Sequence, residues 1–222
     1  MFKDNKSDFQ NKELNYAMIS LLADKIKVGV IGFGNAGSIK VAHFLKLGCN
    51  VEVITKDDVI DDLLTYDNLT IIKEEYNFDF IKDKHIVIIA INDDEIRMNI
   101  INQCNELAKI YIDCTDFANG MAVLPIQDET KDIVLGINTK YGNPKGSSFV
   151  ANKIRKSLNE YDGYIEYTSM IRNKVKKHPD LKKQVLDFIF SEDFYFFFKQ
   201  NKHKEVMDLF YGEVEDGDNN CN

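Results

Sequence analysis

The stretch Gly32-Phe33-Gly34-Asn35-Ala36-Gly37 constrains this chain more than any other. It follows the short, β-branched apolar run Ile26–Ile31. It precedes Ser38–Leu47, where Ile39, Ala42 and Leu45, with Val41 and Phe44, fall on one helical face. A G-x-G-x-x-G turn between a strand and a helix has a specific use. Gly32 permits the tight turn, Gly34 lets backbone approach a pyrophosphate, and Gly37 lets helix and strand pack closely. The unpaired N–H groups of the helix start then face the phosphates. The same pattern also occurs as a plain glycine turn, so the placement between strand and helix carries the reading.

The rest of the chain supplies the surroundings such a turn needs. Gly48 closes the first helix as a C-cap. Strands are predicted at Val51–Thr55, Leu69–Ile72, His85–Ile91 and Lys109–Cys114. The run His85–Ile91 is apolar throughout, as expected of a strand buried on both faces of a parallel sheet. Asn92-Asp93 caps a helix that runs to about Ala108, with Ile96, Ile100, Ile101, Cys104 and Leu107 as its apolar stripe. Strand–helix alternation of this kind predicts right-handed βαβ units and a doubly wound sheet. Two short strands, Met121–Ile126 and Ile133–Asn138, follow with no helix between them, as a hairpin or crossed pair. Beyond Ser147 the spacing predicts helices over Ser148–Asn159, Gly163–Lys177, Leu181–Ile189, Glu192–Gln200 and Lys204–Tyr211. The fold class is therefore α/β: a Rossmann-like domain over 1–116, a small β linker region over 117–146, and a helical C-terminal domain over 147–222.

Charge narrows the partners. The 222 residues carry a formal net charge of −8, which at first argues against a polyanionic ligand. Half of it sits in Glu213–Asn222, which holds four acids and no base. In contrast, Ile133–Asn159 has no acid and carries Lys140, Lys145, Lys153, Arg155 and Lys156. That stretch reads either as a solvated helix face or as an anion-binding surface, with Lys140, Lys145, Thr139 and the helix-start Ser147 at its turn. Basic and aromatic residues do not interleave, so no nucleic-acid partner is expected. Met1–Glu13 is polar and no run of about 18 apolar residues exists, so neither a signal peptide nor a membrane span is expected. Four scattered Cys and four isolated His give no zinc spacing, no metal site and a cytoplasmic, reduced setting.

Three further places are candidates. A dinucleotide fold commonly holds the ribose with an acid about 20 residues after the turn. Here Thr55 occupies that position, followed by Lys56, Asp57 and Asp58. Lys56 suits a 2′-phosphate and Asp57 a ribose hydroxyl, or the three form a solvated turn, so NAD and NADP both stay open. Asp113 and Asp116, in Asp113-Cys114-Thr115-Asp116, lie at the carboxyl edge of a sheet strand, where open α/β sheets bind ligands. Asp116 there is either a loop cap or a general base.

From Tyr16 to Tyr211 the sequence resembles the precorrin-2 dehydrogenase family of siroheme synthases. Tyr16–Leu22 is similar to that family's apolar lead-in, and Lys40 follows the glycine turn as in the family. Ile89-Ala90-Ile91-Asn92-Asp93-Asp94, with Asn99, resembles its AATDD segment. Ile112–Asp116 resembles VNVVD. Ile133–Pro144 resembles AISTGGxSP, and the next helix ends in Lys153-Ile154-Arg155-Lys156. The resemblance implies that Asp116 is the key aspartate and that Asn35, Ala36, Lys56 and Asp57 contact the cofactor, with Asn92 and Asp93 beside it. It also implies a homodimer joined through the β region. The chain departs from the pattern at Phe33 and Gly37 of the glycine turn, at Asn138–Gly142, and in DCTD.

The expected activity is NAD-dependent oxidation of precorrin-2 to sirohydrochlorin, with NADP not excluded. Some family members also insert iron or cobalt into the product, which needs a base but no resident metal site. Two other readings fit the same residues: a nucleotide-sensing module without catalysis, and a dehydrogenase for another small molecule. No His or Lys is placed as a hydroxyl-oxidation acid or base, which counts against the last.

Overall fold

The computed structural model describes residues 14–57 and 62–215. Met1–Glu13, Asp58 and the acidic tail beyond Glu215 lie outside them. The chain divides into two compact units, Tyr16–Leu124 and Pro125–Asn222 with Met1–Asn15.

The first unit is built on a five-stranded sheet of β1 (Lys27–Ile31), β2 (Asn50–Ile54), β3 (Leu69–Ile72), β4 (Ile86–Ile89) and β5 (Ile110–Asp113). Their order is β3-β2-β1-β4-β5 and every pairing is parallel. The chain returns to the far side of β1 for β4, so the order reverses between these two strands. That switch point is where an open sheet offers a crevice at its carboxyl edge. Alternation along each strand sorts the core into two layers. Val28, Val30, Ile86, Ile88 and Ile112 pack with Val41, Phe44 and Leu45 of α1 (Asn35–Lys46). Ile31, Val87, Ile89 and Tyr111 pack with Ile100, Ile101 and Cys104 of α2 (Asp94–Glu106). All four residues of β4 are buried, as its unbroken apolar run requires.

Both helices sit slightly rotated from the stripes read in the sequence. Ile39 and Ile96, placed there on the apolar faces, are exposed. Gly37 and Arg97 face inward instead. Close packing of α1 on the glycine turn brings Gly37 in, and a buried carboxylate brings in Arg97. Gly48, at φ +87°, closes α1 with its N–H on Leu45 O, while Cys49 N–H reaches back to Phe44 O.

In the second unit β6 (Ile126–Glu129) and β7 (Val134–Ile137) form an antiparallel hairpin. The expected strand Met121–Ile126 is not one: pairing begins only at Ile126, just past Pro125, whose nitrogen has no hydrogen to donate. The polar residues Gln127, Asp128 and Glu129 form the strand instead. α3 (Pro144–Leu158) packs on both strands. It starts four residues before the expected Ser148, because Asn143 caps it by accepting Gly146 N–H and Pro144 opens its first turn. α4 (Asp162–Lys174), α5 (Pro179–Ile189), α6 (Glu192–Lys199) and α7 (His203–Glu215) enclose a core of Tyr164, Tyr167, Ile171, Val185, Ile189, Phe194 and Met207.

Candidate functional site

The glycine turn leaves β1 at the carboxyl edge of the sheet, and each glycine meets a different constraint. Gly32 has φ +90°, and a Cβ there would lie 2.5 Å from Ala90 O. A Cβ on Gly37 would strike Gly32 O. Gly34 is the opposite case, with no atom of the described residues within 4 Å of where its Cβ would be. It is the N-cap of α1, yet no side chain of the described residues caps the first N–H groups of that helix, and its first turn carries no acid. The neighbouring α2 is closed off by contrast: the Asp93 carboxylate accepts Ile96 N–H at 3.0 Å, and Asp94 and Glu95 fill its first turn. An open space over Gly34, facing uncapped N–H groups without local negative charge, fits a pyrophosphate. Asn35 and Ala36 are exposed on that same turn.

At the end of β2, Thr55 is buried, and its hydroxyl accepts Asp57 N–H at 3.1 Å in a tight turn. Lys56 and Asp57 are exposed there. Lys56 is not a free cation, because its Nζ lies 2.6 Å from Glu75 Oε1. That contact holds the Glu75 carboxyl below the usual carboxylate range. Glu75 comes from the segment after β3, far from the fingerprint in sequence, and spacing rules do not find it. Asn92 is exposed on the β4–α2 turn, where Asp93 is occupied as the cap.

The loop after β5 carries the two aspartates in different states. The Asp113 side chain is fully buried and its Oδ2 lies 2.5 Å from Arg97 Nη1. Its Oδ1 accepts the N–H groups of Thr115, at 2.9 Å, and Asp116, at 3.1 Å. Asp113 thus shapes the loop rather than facing solvent. Asp116 is exposed. One of its oxygens accepts Ala118 N–H at 3.0 Å and the other Asn119 Nδ2 at 3.1 Å, which fixes the carboxylate and leaves lone pairs free. Thr115 Oγ1 also donates to Ile91 O, at 3.1 Å, tying this loop to the exit of β4. The glycine turn, Thr55, Asn92 and Asp116 therefore share the carboxyl edge of one sheet. Arg97 was not singled out in the sequence. Its signal is an arginine in the i, i+3, i+4, i+7 series with Ile100, Ile101 and Cys104.

The remaining candidates lie in the second unit. Thr139 accepts Asn143 N–H at 2.7 Å and so folds the turn before α3. Lys140 and Lys145 are exposed, and Ser147 is buried. Arg155 pairs with Asp128 at 3.2 Å. Among the described residues no group of three or more His, Cys, Asp and Glu could hold a metal ion. No described helix is long and apolar enough to cross a membrane.

Residues 19–126 match a family model described as "Putative NAD(P)-binding". No curated protein matches the sequence at a significant level. Among solved structures, the chain shares its fold with SirC, a precorrin-2 dehydrogenase, at TM-score 0.69 and 16% identity, covering 90% of this chain and 99% of that one. The resemblance read from the sequence is thus met at the level of the fold. A D-isomer specific 2-hydroxyacid dehydrogenase from Xanthobacter autotrophicus with NADPH matches at TM-score 0.33 and 19% identity, over 45% of this chain and 31% of that one. An imine reductase from Myxococcus stipitatus with NAD+ matches at 0.32 and 20%, over 40% and 31%.

Proposed function

We propose that the protein is an NAD-dependent dehydrogenase that oxidises precorrin-2 to sirohydrochlorin. The observation that carries this reading is the pairing, on one sheet edge, of the open, uncapped glycine turn with the exposed, oriented carboxylate of Asp116. The fold shared with a precorrin-2 dehydrogenase over nine-tenths of the chain supports the choice of substrate. Gly32, Gly34 and Gly37, with Asn35 and Ala36, hold the pyrophosphate. Thr55, Lys56 and Asp57 border the ribose, and Asn92 and Asp93 border the cofactor from the β4–α2 turn. Bound NAD+ supplies the oxidising power by accepting a hydride from a saturated ring carbon. Asp116 takes the proton that leaves with the new double bond, so two electrons and two hydrogens depart together. The exposed Lys140 and Lys145 of the second unit are the candidate partners for the carboxylates of the macrocycle, with Thr139 and Ser147 shaping their turn. A homodimer is part of this reading, through the resemblance.

Precorrin-2 supplied with NAD or NADP in separate assays tests the proposal. Reduced nicotinamide is expected to form with wild type and not with Asp116→Ala, while Asp116→Ala still binds NAD. Oxidation at the wild-type rate by that variant removes the assigned role. Binding of NAD without any reduction would leave a sensor. Iron or cobalt insertion would use Asp116 to take up pyrrole protons, with the metal as substrate. Sirohydrochlorin and ferrous ion, followed by absorbance, decide it: a rate equal to the protein-free rate rejects chelation.

A further inference from the structure

We infer that Arg97 is a positioning residue for Asp116, acting through Asp113. The inference rests on the reading of Asp116 as the proton acceptor. Its basis is a continuous set of bonds from α2 to the loop. Arg97 Nη2 lies 2.7 Å from Asp94 Oδ1 on its own helix, and Nη1 lies 2.5 Å from Asp113 Oδ2. Asp113 Oδ1 then receives the backbone N–H groups of Thr115 and Asp116. The guanidinium is held at two points, so the carboxylate it grips is fixed in rotation. That carboxylate in turn fixes the peptide that bears Asp116.

A carboxylate with no exposed side-chain surface needs a cationic partner and filled hydrogen bonds to offset its burial. Asp113 meets that condition through one cation and two N–H groups. Where the resembled segment has Asn, this chain has Asp. An Asn oxygen could receive both N–H groups unaided, whereas Asp requires the cation. The exchange therefore adds a rigid tie between α2 and the loop that Asn would not create. Among the described residues Arg97 Nε has no partner, so the guanidinium's contacts there are those with its two carboxylates. Thr115 Oγ1 on Ile91 O holds the loop from the other side. Misplacing a catalytic group by about 1 Å costs on the order of a hundredfold in rate, so a tie of this kind reads out in turnover rather than in cofactor affinity.

The test uses the full chain with Arg97→Lys, which keeps the charge but cannot span both carboxylates, and with Asp113→Ala, which removes the acceptor of both N–H groups. Each is made alone and in an Asp116→Asn background. Expected are a fall in kcat of about tenfold or more, a Kd for NAD within about twofold of wild type, and faster amide exchange at Thr115 and Asp116 without cofactor. In the Asp116→Asn background neither substitution lowers the residual rate further. If either single variant fails to fold, Arg97→Met with Asp113→Ala leaves neither member of the pair charged and carries the same comparison. Unchanged kcat with unchanged exchange overturns the positioning role while leaving Asp116 intact. A further loss in the Asp116→Asn background equal to that in wild type makes the pair merely structural, which also overturns it. An Asp116→Asn enzyme with wild-type kcat overturns the reading of Asp116 itself, and the inference with it.

Discussion

Gly32 and Gly34 stand two residues apart and are glycine for different reasons. Gly32 must be glycine for the fold, because its φ is +90° and a Cβ would meet a carbonyl. Gly32→Ala is expected to lower stability by about 1–3 kcal/mol in urea unfolding. Gly34 faces open space with extended backbone at φ −67° and ψ −173°, a conformation any residue accepts. Gly34→Asp would give α1 the cap it lacks and raise the stability of the cofactor-free protein by about 0.5–1 kcal/mol. The same carboxylate would occupy the phosphate position, so NAD binding by calorimetry is expected to disappear. Retained NAD affinity would show that the pyrophosphate does not sit there. A second residue-scale prediction concerns Glu75. Its carboxylate covers Lys56, the cation nearest the end of β2, and disfavours a 2′-phosphate. Glu75→Gln is expected to lower KM for NADP while leaving that for NAD unchanged; equal changes in both would remove Glu75 from cofactor choice.

The elements of the first unit were legible because parallel strands buried on both faces carry unbroken apolar runs, as in His85–Ile91. The hairpin was not. Three of the four residues of β6 are polar, and its pairing is set by contacts with β7 and α3 rather than by its own alternation. The Arg97–Asp113 pair joins residues 16 apart through a helix rotation that a periodicity count does not resolve. The tie between the hairpin loop and α4 was hidden in the same way. The Asp162 carboxylate accepts the Thr130 hydroxyl and the N–H groups of Lys131, at 3.2 Å, and Asp132, at 3.1 Å. The Thr130 hydroxyl first, then those backbone groups, hold the Asp162 carboxyl below its usual range. A depressed carboxyl adds stability above the unfolded value, near pH 4, and that stability is lost as pH falls through the folded value. Asp162→Ala is accordingly expected to speed amide exchange at Lys131 and Asp132 at neutral pH and leave the sheet of the first unit unaffected. Unchanged exchange would mean that the hairpin loop holds without α4.

At the scale of the whole molecule, net charge describes little, since half of the −8 lies in a ten-residue tail while the stretch from Ile133 to Asn159 carries five bases and no acid. The titration of two histidines says more, because each compact unit contains one. His43 on α1 has its Nε2 buried without a partner among the described residues, and burial, then Lys40 and Lys46, push its pKa down. His203 at the start of α7 lies edge-on to Tyr167, with centroids 4.6 Å apart, and against Phe198. Its Nδ1 likewise has no partner among the described residues, and burial, then Lys204, lower its pKa against a smaller opposing effect of Glu205. A lowered folded-state value means that the unfolded chain binds more protons just below pH 6.5, the ordinary histidine value. Stability is then complete above about pH 6.5, falls as pH drops below it, and levels off beneath the folded values. Thermal unfolding is therefore expected to shift to lower temperature between about pH 7.5 and about pH 5.5, well above the range where Asp162 protonates. His43→Leu is expected to flatten this dependence for amides of Tyr16–Leu124 alone, and His203→Leu for those of the second unit alone, when exchange is resolved along the chain. A wild-type protein whose unfolding is flat across that interval would show that both imidazoles reach solvent readily enough to ionise without cost.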